Sequence, residues 1–188
     1  FKFNGKTYYG FKGDTLASAL IANNVHLVGR SFKYHRPRGI MTSGSEEPNA
    51  IVQLNPNSNI TEPNARATEI EIYEGLEASS QNCWPSVNFD IGGINNFLAP
   101  LFPAGFYYKT FMWPKSFWKK YEFFIRHSAG LGKSPTTKDP DIYDHRNIHC
   151  DVLVVGAGIS GILAAKNAAK NNFKTLLLDE KNELGGST

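Results

Sequence analysis

Apolar and polar residues alternate along Phe1-Lys-Phe-Asn-Gly-Lys-Thr-Tyr-Tyr-Gly-Phe11 on either side of Asn4-Gly5, the pattern of a hairpin closed by a tight turn. The period then changes. Leu16, Ala19 and Leu20 recur at helical spacing behind Asp14, which is placed to cap a short helix, and Asn23-Asn24 ends it. Ala50 to Leu54 and Ala67 to Tyr73 read as two further strands, separated by the turn-rich Asn55-Pro-Asn-Ser-Asn59. Far downstream, Val152 to Val155 form an unbroken apolar row, which suits a parallel strand buried on both faces. A helix is expected from Ile159 to about Lys170, where Ala164, Ala165, Ala168 and Ala169 give it a slim surface for lying on a sheet. A second strand follows from Lys174 to Leu178.

Between that first strand and its helix lies Gly156-Ala157-Gly158-Ile159-Ser160-Gly161, the glycine spacing that dinucleotides require. Gly156 allows a tight turn, Gly158 lets backbone approach a pyrophosphate, and Gly161 lets helix and strand pack closely. The helix start offers unpaired N–H groups and a partial positive charge to phosphates. The second strand ends in Asp179 and Glu180, at the separation where a ribose-binding carboxylate is expected; Asp179 is the better candidate. A carboxylate there accepts from ribose hydroxyls and repels a 2′-phosphate, so NAD or FAD is favoured over NADP. Glycines that serve packing alone are the simpler alternative, but strand, triplet, helix, second strand and terminal acid occur here in order.

Composition is that of an ordinary globular protein of 188 residues, 41% hydrophobic and 20% charged. No apolar run approaches the roughly 20 residues of a membrane span, and Phe97 to Trp113 is interrupted by Pro100, Pro103 and Lys109. Cys83 and Cys150 are too few for a disulfide framework, which points to the cytoplasm. A net charge of +3 does not imply a polyanionic partner. Arg30, Lys33, His35, Arg36 and Arg38, interleaved with Phe32 and Tyr34, have the composition of a single-strand grip. No recognised binding module accompanies them and Pro37-Arg38-Gly39 reads as a turn, so no nucleic acid partner is expected. His35 and His127 have no carboxylate close in sequence and no metal-ligand spacing, which leaves them ordinary loop roles; no catalytic residue and no metal site are assigned.

Residues 1–89 have a compact α+β order that resembles a β-grasp domain. The likeness is specific in Gly13-Asp-Thr-Leu-Ala-Ser-Ala-Leu-Ile-Ala-Asn-Asn-Val25 and Gly29-Arg-Ser-Phe-Lys-Tyr-His-Arg-Pro-Arg-Gly-Ile40, which are similar to the N-terminal domain of the sarcosine oxidase alpha subunit family. It extends through Ser43-Gly-Ser-Glu-Glu-Pro-Asn-Ala50 and resumes at Gly156. In iron-sulfur relatives this domain is a plant-type ferredoxin module, whose cluster needs thiolates in a Cys-x4-Cys-x2-Cys arrangement. That spacing places Thr42, Glu47 and Ala50 at the three ligand positions, and none supplies a thiolate. No iron-sulfur cluster is therefore expected, and the domain reads as a ferredoxin-like scaffold.

The fold expected is thus a cluster-free, ferredoxin-like β-grasp domain (1–89), an aromatic-rich linker (90–148) and the first βαβ part of an α/β Rossmann-type dinucleotide-binding domain (149–188). Phe1 stands where a start methionine would be and the sheet stops after two strands, so a longer polypeptide is expected. In the linker, Phe106, Tyr107, Tyr108, Phe111, Trp113, Phe117, Trp118, Tyr121, Phe123 and Phe124 call for a covering surface, from the same subunit or another. Lys115 to Arg126 suits a helix with Phe117, Tyr121 and Phe124 on one side. The resemblance implies oxidative demethylation of sarcosine or a related secondary amine by a heterotetramer, with flavins in the full complex and formaldehyde captured by tetrahydrofolate. It implies NAD, alternatively FAD, on Gly156, Ala157, Gly158, Ile159, Ser160, Gly161, Asp179 and Glu180. A pyridine nucleotide-disulfide type flavoenzyme, suggested by Leu184-Gly-Gly186, and a non-catalytic assembly module are the alternatives.

Overall fold

The computed structural model describes residues 1–101, 105, 111, 113–181 and 184–186. The chain divides into two compact units, Phe1–Asp139 and Pro140–Thr188.

In the first unit, β1 (Lys2–Phe3) and β2 (Lys6–Thr7) form the expected hairpin, with Asn4 and Gly5 both at positive φ (50° and 76°). Those angles suit the right-handed twist of a two-residue hairpin. The helix α1 (Leu16–Ala22) buries Leu16, Ala17, Ala19 and Leu20. Its cap is Thr15, whose Oγ1 accepts from the Ser18 N–H at 3.1 Å, and not Asp14. Asp14 sits one residue too early and instead accepts from the Phe11 N–H and the Ser18 hydroxyl. Then come β3 (Gly29–Arg30), β4 (Pro37–Arg38), β5 (Ile51–Leu54), β6 (Glu62–Arg66) and β7 (Glu77–Ser80). Pro37-Arg38 is thus a strand paired with β3 and not part of a turn.

The main sheet has the order β2-β1-β7-β5-β6, with β1 and β7 parallel and the other neighbours antiparallel. Phe3, Leu16, Leu20, Val28, Val52 and Leu76 form its core against α1. The strand expected over Ala67–Tyr73 is displaced. Ala67 donates to the Ala50 carbonyl, Glu69 turns back onto Arg66, and the remainder crosses the start of α1 through a single bridge between Thr15 and Glu71. Ile70 and Ile72 pack on the core from that crossing. The strand is instead Glu-Pro-Asn-Ala-Arg, an edge where proline and charges are tolerated.

Residues 90–139 carry structure of their own, including α2 (Ile94–Phe97) and α3 (Trp118–Ala129), the latter preceded by a 3-10 turn over Lys115–Phe117. They fasten to the sheet. Buried Gln53 of β5 accepts from the Lys133 N–H (2.8 Å) and donates to its carbonyl (2.9 Å), as a neighbouring strand would. Trp113 and Phe124 remain 81% and 70% exposed, Phe111 and Tyr121 rings lie 5.3 Å apart, and Phe106, Tyr107 and Tyr108 fall outside the described residues.

In the second unit, β8 (Val152–Val155), α4 (Ile159–Lys170) and β9 (Thr175–Leu178) follow one another as a βαβ turn with parallel strands in register from Val152–Thr175 to Val155–Leu178. Among the described residues, no helix is long and apolar enough to cross a membrane.

Candidate dinucleotide-binding turn

The end of β8 runs into α4 through three residues. Gly156, at φ 97°, donates to the Leu178 carbonyl at 2.8 Å and so closes the mouth of the two-stranded sheet. Few side chains tolerate that backbone angle. Ala157 is fully buried; its N–H donates to Asp179 Oδ2, and its carbonyl accepts from the Gly185 N–H at 2.8 Å. Gly158 is the residue before the helix, at φ −66° and ψ 176°, and no side chain caps the first turn. A β-carbon built on Gly158 would have nothing within 4 Å, whereas one on Gly161 would collide with the Gly156 carbonyl oxygen. Ile159 and Ser160 are exposed at the helix start. The turn therefore presents uncapped helix N–H groups to an open, side-chain-free space, the arrangement that holds a phosphate.

Asp179 is partly occupied by the protein itself. Its Oδ2 takes the Ala157 N–H and its Oδ1 the Lys181 N–H at 2.9 Å, and these backbone bonds hold its carboxyl below the usual carboxylate range. A carboxylate has about four acceptor positions, so capacity for a ligand's hydroxyls remains. Glu180 is exposed beside it. A parallel bridge joins Gly158 to Gly185, and a β-carbon on Gly186 would come within 3.2 Å of Gly158 Cα, so the Leu184-Gly-Gly186 segment lines the same turn. The sequence offered this segment as a mark of pyridine nucleotide-disulfide type flavoenzymes and not as a wall of the turn.

In the first unit, the loop before β5 converges on one buried side chain, Glu47, which is 1% exposed. Its Oε2 accepts from the Met41 and Thr42 N–H groups, both at 2.7 Å, and its Oε1 from those of Asn49 (2.7 Å) and Ala50 (3.1 Å). Burial raises the carboxyl pKa, but the four backbone donors together outweigh it and hold the group below its ordinary value. Thr68, outside the loop, is also buried and donates from its hydroxyl to the Gly44 carbonyl at 2.6 Å.

Two arginines of the basic stretch are engaged by the protein itself. Arg30 donates from Nε to the Val87 carbonyl at 2.9 Å and from a terminal nitrogen to the His35 carbonyl at 3.0 Å, while Arg36 donates to Asn96 Oδ1 at 2.7 Å and lies over the Tyr34 ring. His35 does have a carboxylate partner: its Nδ1 is 2.6 Å from Asp90 Oδ2, with both side chains buried. Fifty-five residues of sequence separate them, which hid the pair. His127 lies on α3 and not in a loop, its Nδ1 2.8 Å from the Phe123 carbonyl. Burial and the Asp90 charge push the Cys83 thiol up, against the pull of Arg30, so it is a poor nucleophile. Among the described residues no His, Cys, Asp or Glu cluster suits a metal ion.

Comparison with known proteins agrees with this division. A family model described as a 2Fe-2S iron-sulfur cluster binding domain matches residues 1–83, and one described as an FAD dependent oxidoreductase matches residues 151–188. In that order they are a ferredoxin-like domain followed by a stretch similar to FAD dependent oxidoreductases. The chain is 56% identical over 188 residues to the sarcosine oxidase subunit alpha of Rhizobium meliloti (strain 1021), covering all of this chain and 19% of that one. It is 31% identical over 186 residues to the subunit of the same name from Corynebacterium sp. (strain U-96), covering 98% of this chain and 14% of that one. The likeness to the sarcosine oxidase alpha subunits thus runs along the full length of this chain, which spans about a fifth or less of the length of these relatives. Among solved structures, L-proline dehydrogenase from P. horikoshii matches with a TM-score of 0.47 at 18% identity, over 98% of this chain and 25% of that one.

Proposed function

We propose that the Gly156–Gly161 turn binds the pyrophosphate of a dinucleotide cofactor within an oxidoreductase that oxidatively demethylates sarcosine or a related secondary amine. One observation carries the binding reading: Gly158 needs to be glycine neither for its backbone angle nor for internal packing. A missing side chain that the fold does not require leaves room for something else. Ile159, Ser160 and Gly161 would donate N–H groups to the phosphates, Ala157 would hold the turn, and Asp179, assisted by Glu180, would accept from ribose hydroxyls. These contacts belong to the ADP half shared by NAD and FAD. The FAD dependent oxidoreductase model over residues 151–188 favours FAD over the NAD that the family resemblance implied. A bound flavin supplies two-electron chemistry; the residues present here bind, orient and neutralise charge.

The relatives' names supply the reaction class, and the word subunit in them supports further chains as partners. The heterotetramer, the tetrahydrofolate acceptor, the three-part division at 89 and 148 and a cytoplasmic site belong to the same reading. The intramolecular bonds of Arg30 and Arg36 support a structural role for the basic stretch and no nucleic acid partner.

The test is Gly158→Val in the complete subunit. The variant is expected to lose FAD and NAD binding by calorimetric titration while the Phe1–Asp139 unit keeps its far-UV and near-UV circular dichroism. Unchanged affinity would refute the assignment. In the unaltered subunit, FAD at a hundredfold excess over its Kd is expected to stabilise by about 2.7 kcal/mol. No shift with either dinucleotide would favour an assembly module instead.

A further inference from the structure

A two-iron cluster held by four thiolates is a net anion, and the loop carrying its cysteines is tied together through it. In this chain the residues at the three loop positions, Thr42, Glu47 and Ala50, are still tied together, through a side chain. The Glu47 carboxylate accepts from the N–H groups of both Thr42 and Ala50, so all three positions meet at one negative charge. Met41 and Asn49 add two more donors. A cluster needs a fourth ligand from outside the loop, and Thr68 is a buried residue that reaches in from outside, placed there because Ala67 donates to the Ala50 carbonyl at 2.9 Å. Neither hydroxyls, a carboxylate nor a methyl group suits iron-sulfide chemistry, so the donor set does not fit the cluster that the matching family model describes.

We propose that the Glu47 carboxylate replaces the iron-sulfur cluster: it is an internal anion, held by the backbone amides of the former ligand loop, that fixes this loop and leaves no place for iron. Such a loop without any anion would leave four backbone N–H groups without their acceptor, that of fully buried Ala50 among them. A buried carboxylate without those donors would be costlier still. Each therefore requires the other. The chemical class the loop accepts is a small carboxylate.

Removal of the tethered carboxylate should make the loop bind a free one. In the complete subunit, Glu47→Ala is expected to speed amide hydrogen exchange in residues 41–50 by about tenfold or more, the factor that losing roughly one charged hydrogen bond would give. Exchange in Val152–Leu178 stays as in the parent. Added formate restores protection in Glu47→Ala, chloride at equal ionic strength does not, and formate leaves the parent unchanged. Glu47→Gln, of the same shape, sets an amide NH2 against one pair of backbone donors and is expected to loosen the same loop to a lesser degree, which keeps the test open if Glu47→Ala does not fold. Anaerobic incubation of the parent with ferrous iron and sulfide, followed by desalting, leaves no stoichiometric iron. Unchanged loop exchange in Glu47→Gln, loss of protection in Glu47→Ala that formate does not recover, or stoichiometric iron and labile sulfide in the parent would each overturn the proposal.

Discussion

Gly158 and Gly161 stand three residues apart in one turn and are glycine for different reasons. A methyl at 161 meets the Gly156 carbonyl, so Gly161→Ala is expected to destabilise the second unit by about 1–3 kcal/mol, as overpacking does, read by thermal unfolding of the complete subunit. A methyl at 158 meets only open space; Gly158→Ala should leave unfolding unchanged without ligand and weaken dinucleotide binding. If the two variants behaved alike in both measurements, the distinction would be wrong. Glu47 adds a pH dependence whose sign is fixed by its environment. Its carboxyl is held below the unfolded value, so the stability it contributes is complete above the unfolded carboxyl pKa and is lost as pH falls through the folded one. Acid titration of the parent should therefore loosen residues 41–50, seen by hydrogen exchange below about pH 4, and Glu47→Gln should lack that transition. Single residues were unevenly legible. The glycine triplet and Asp179 declare themselves by spacing, whereas Glu47 was visible only as an unsuitable iron ligand. Asp90 and Thr68 gave no sign, because their partners lie 55 and 24 residues away.

Elements with strong local signals form where the sequence places them: the Asn4-Gly5 hairpin, the strand Val152–Val155 and the helix Ile159–Lys170 all do. Each combines a period with a turn or cap, so local preference and tertiary packing agree. The weaker ones depend on packing. β7, Glu-Ala-Ser-Ser, lies between β1 and β5 although those residue types are depleted in strands. Its small side chains fit there while Ala78 enters the core. The Ile70 and Ile72 alternation that suggested a strand instead packs the same core beside α1. Two substitutions probe that helix. Leu20→Ala removes a fully buried side chain and should cost about 3 kcal/mol in urea unfolding, and Thr15→Ala removes the cap at about 1 kcal/mol. A neutral Thr15→Ala paired with a costly Asp14→Ala would return the cap to the residue the sequence suggested.

At the scale of the molecule, the first unit is a sheet and helix around one core, and its long C-terminal arm, residues 90–139, is bound to it through Gln53, Arg36 and the His35–Asp90 pair. The bonds that hold the arm join residues far apart in the sequence, which no periodicity announces. The second unit has a two-stranded parallel sheet with Leu153, Val155 and Leu178 exposed. In the proposed function, the turn of this two-stranded sheet cradles two linked phosphates. The most direct test is the density of a dinucleotide bound to the complete subunit. The pyrophosphate should lie against Gly158 and the first turn of Ile159–Lys170, with a ribose at Asp179; an adenine dinucleotide seated away from that turn would contradict the account.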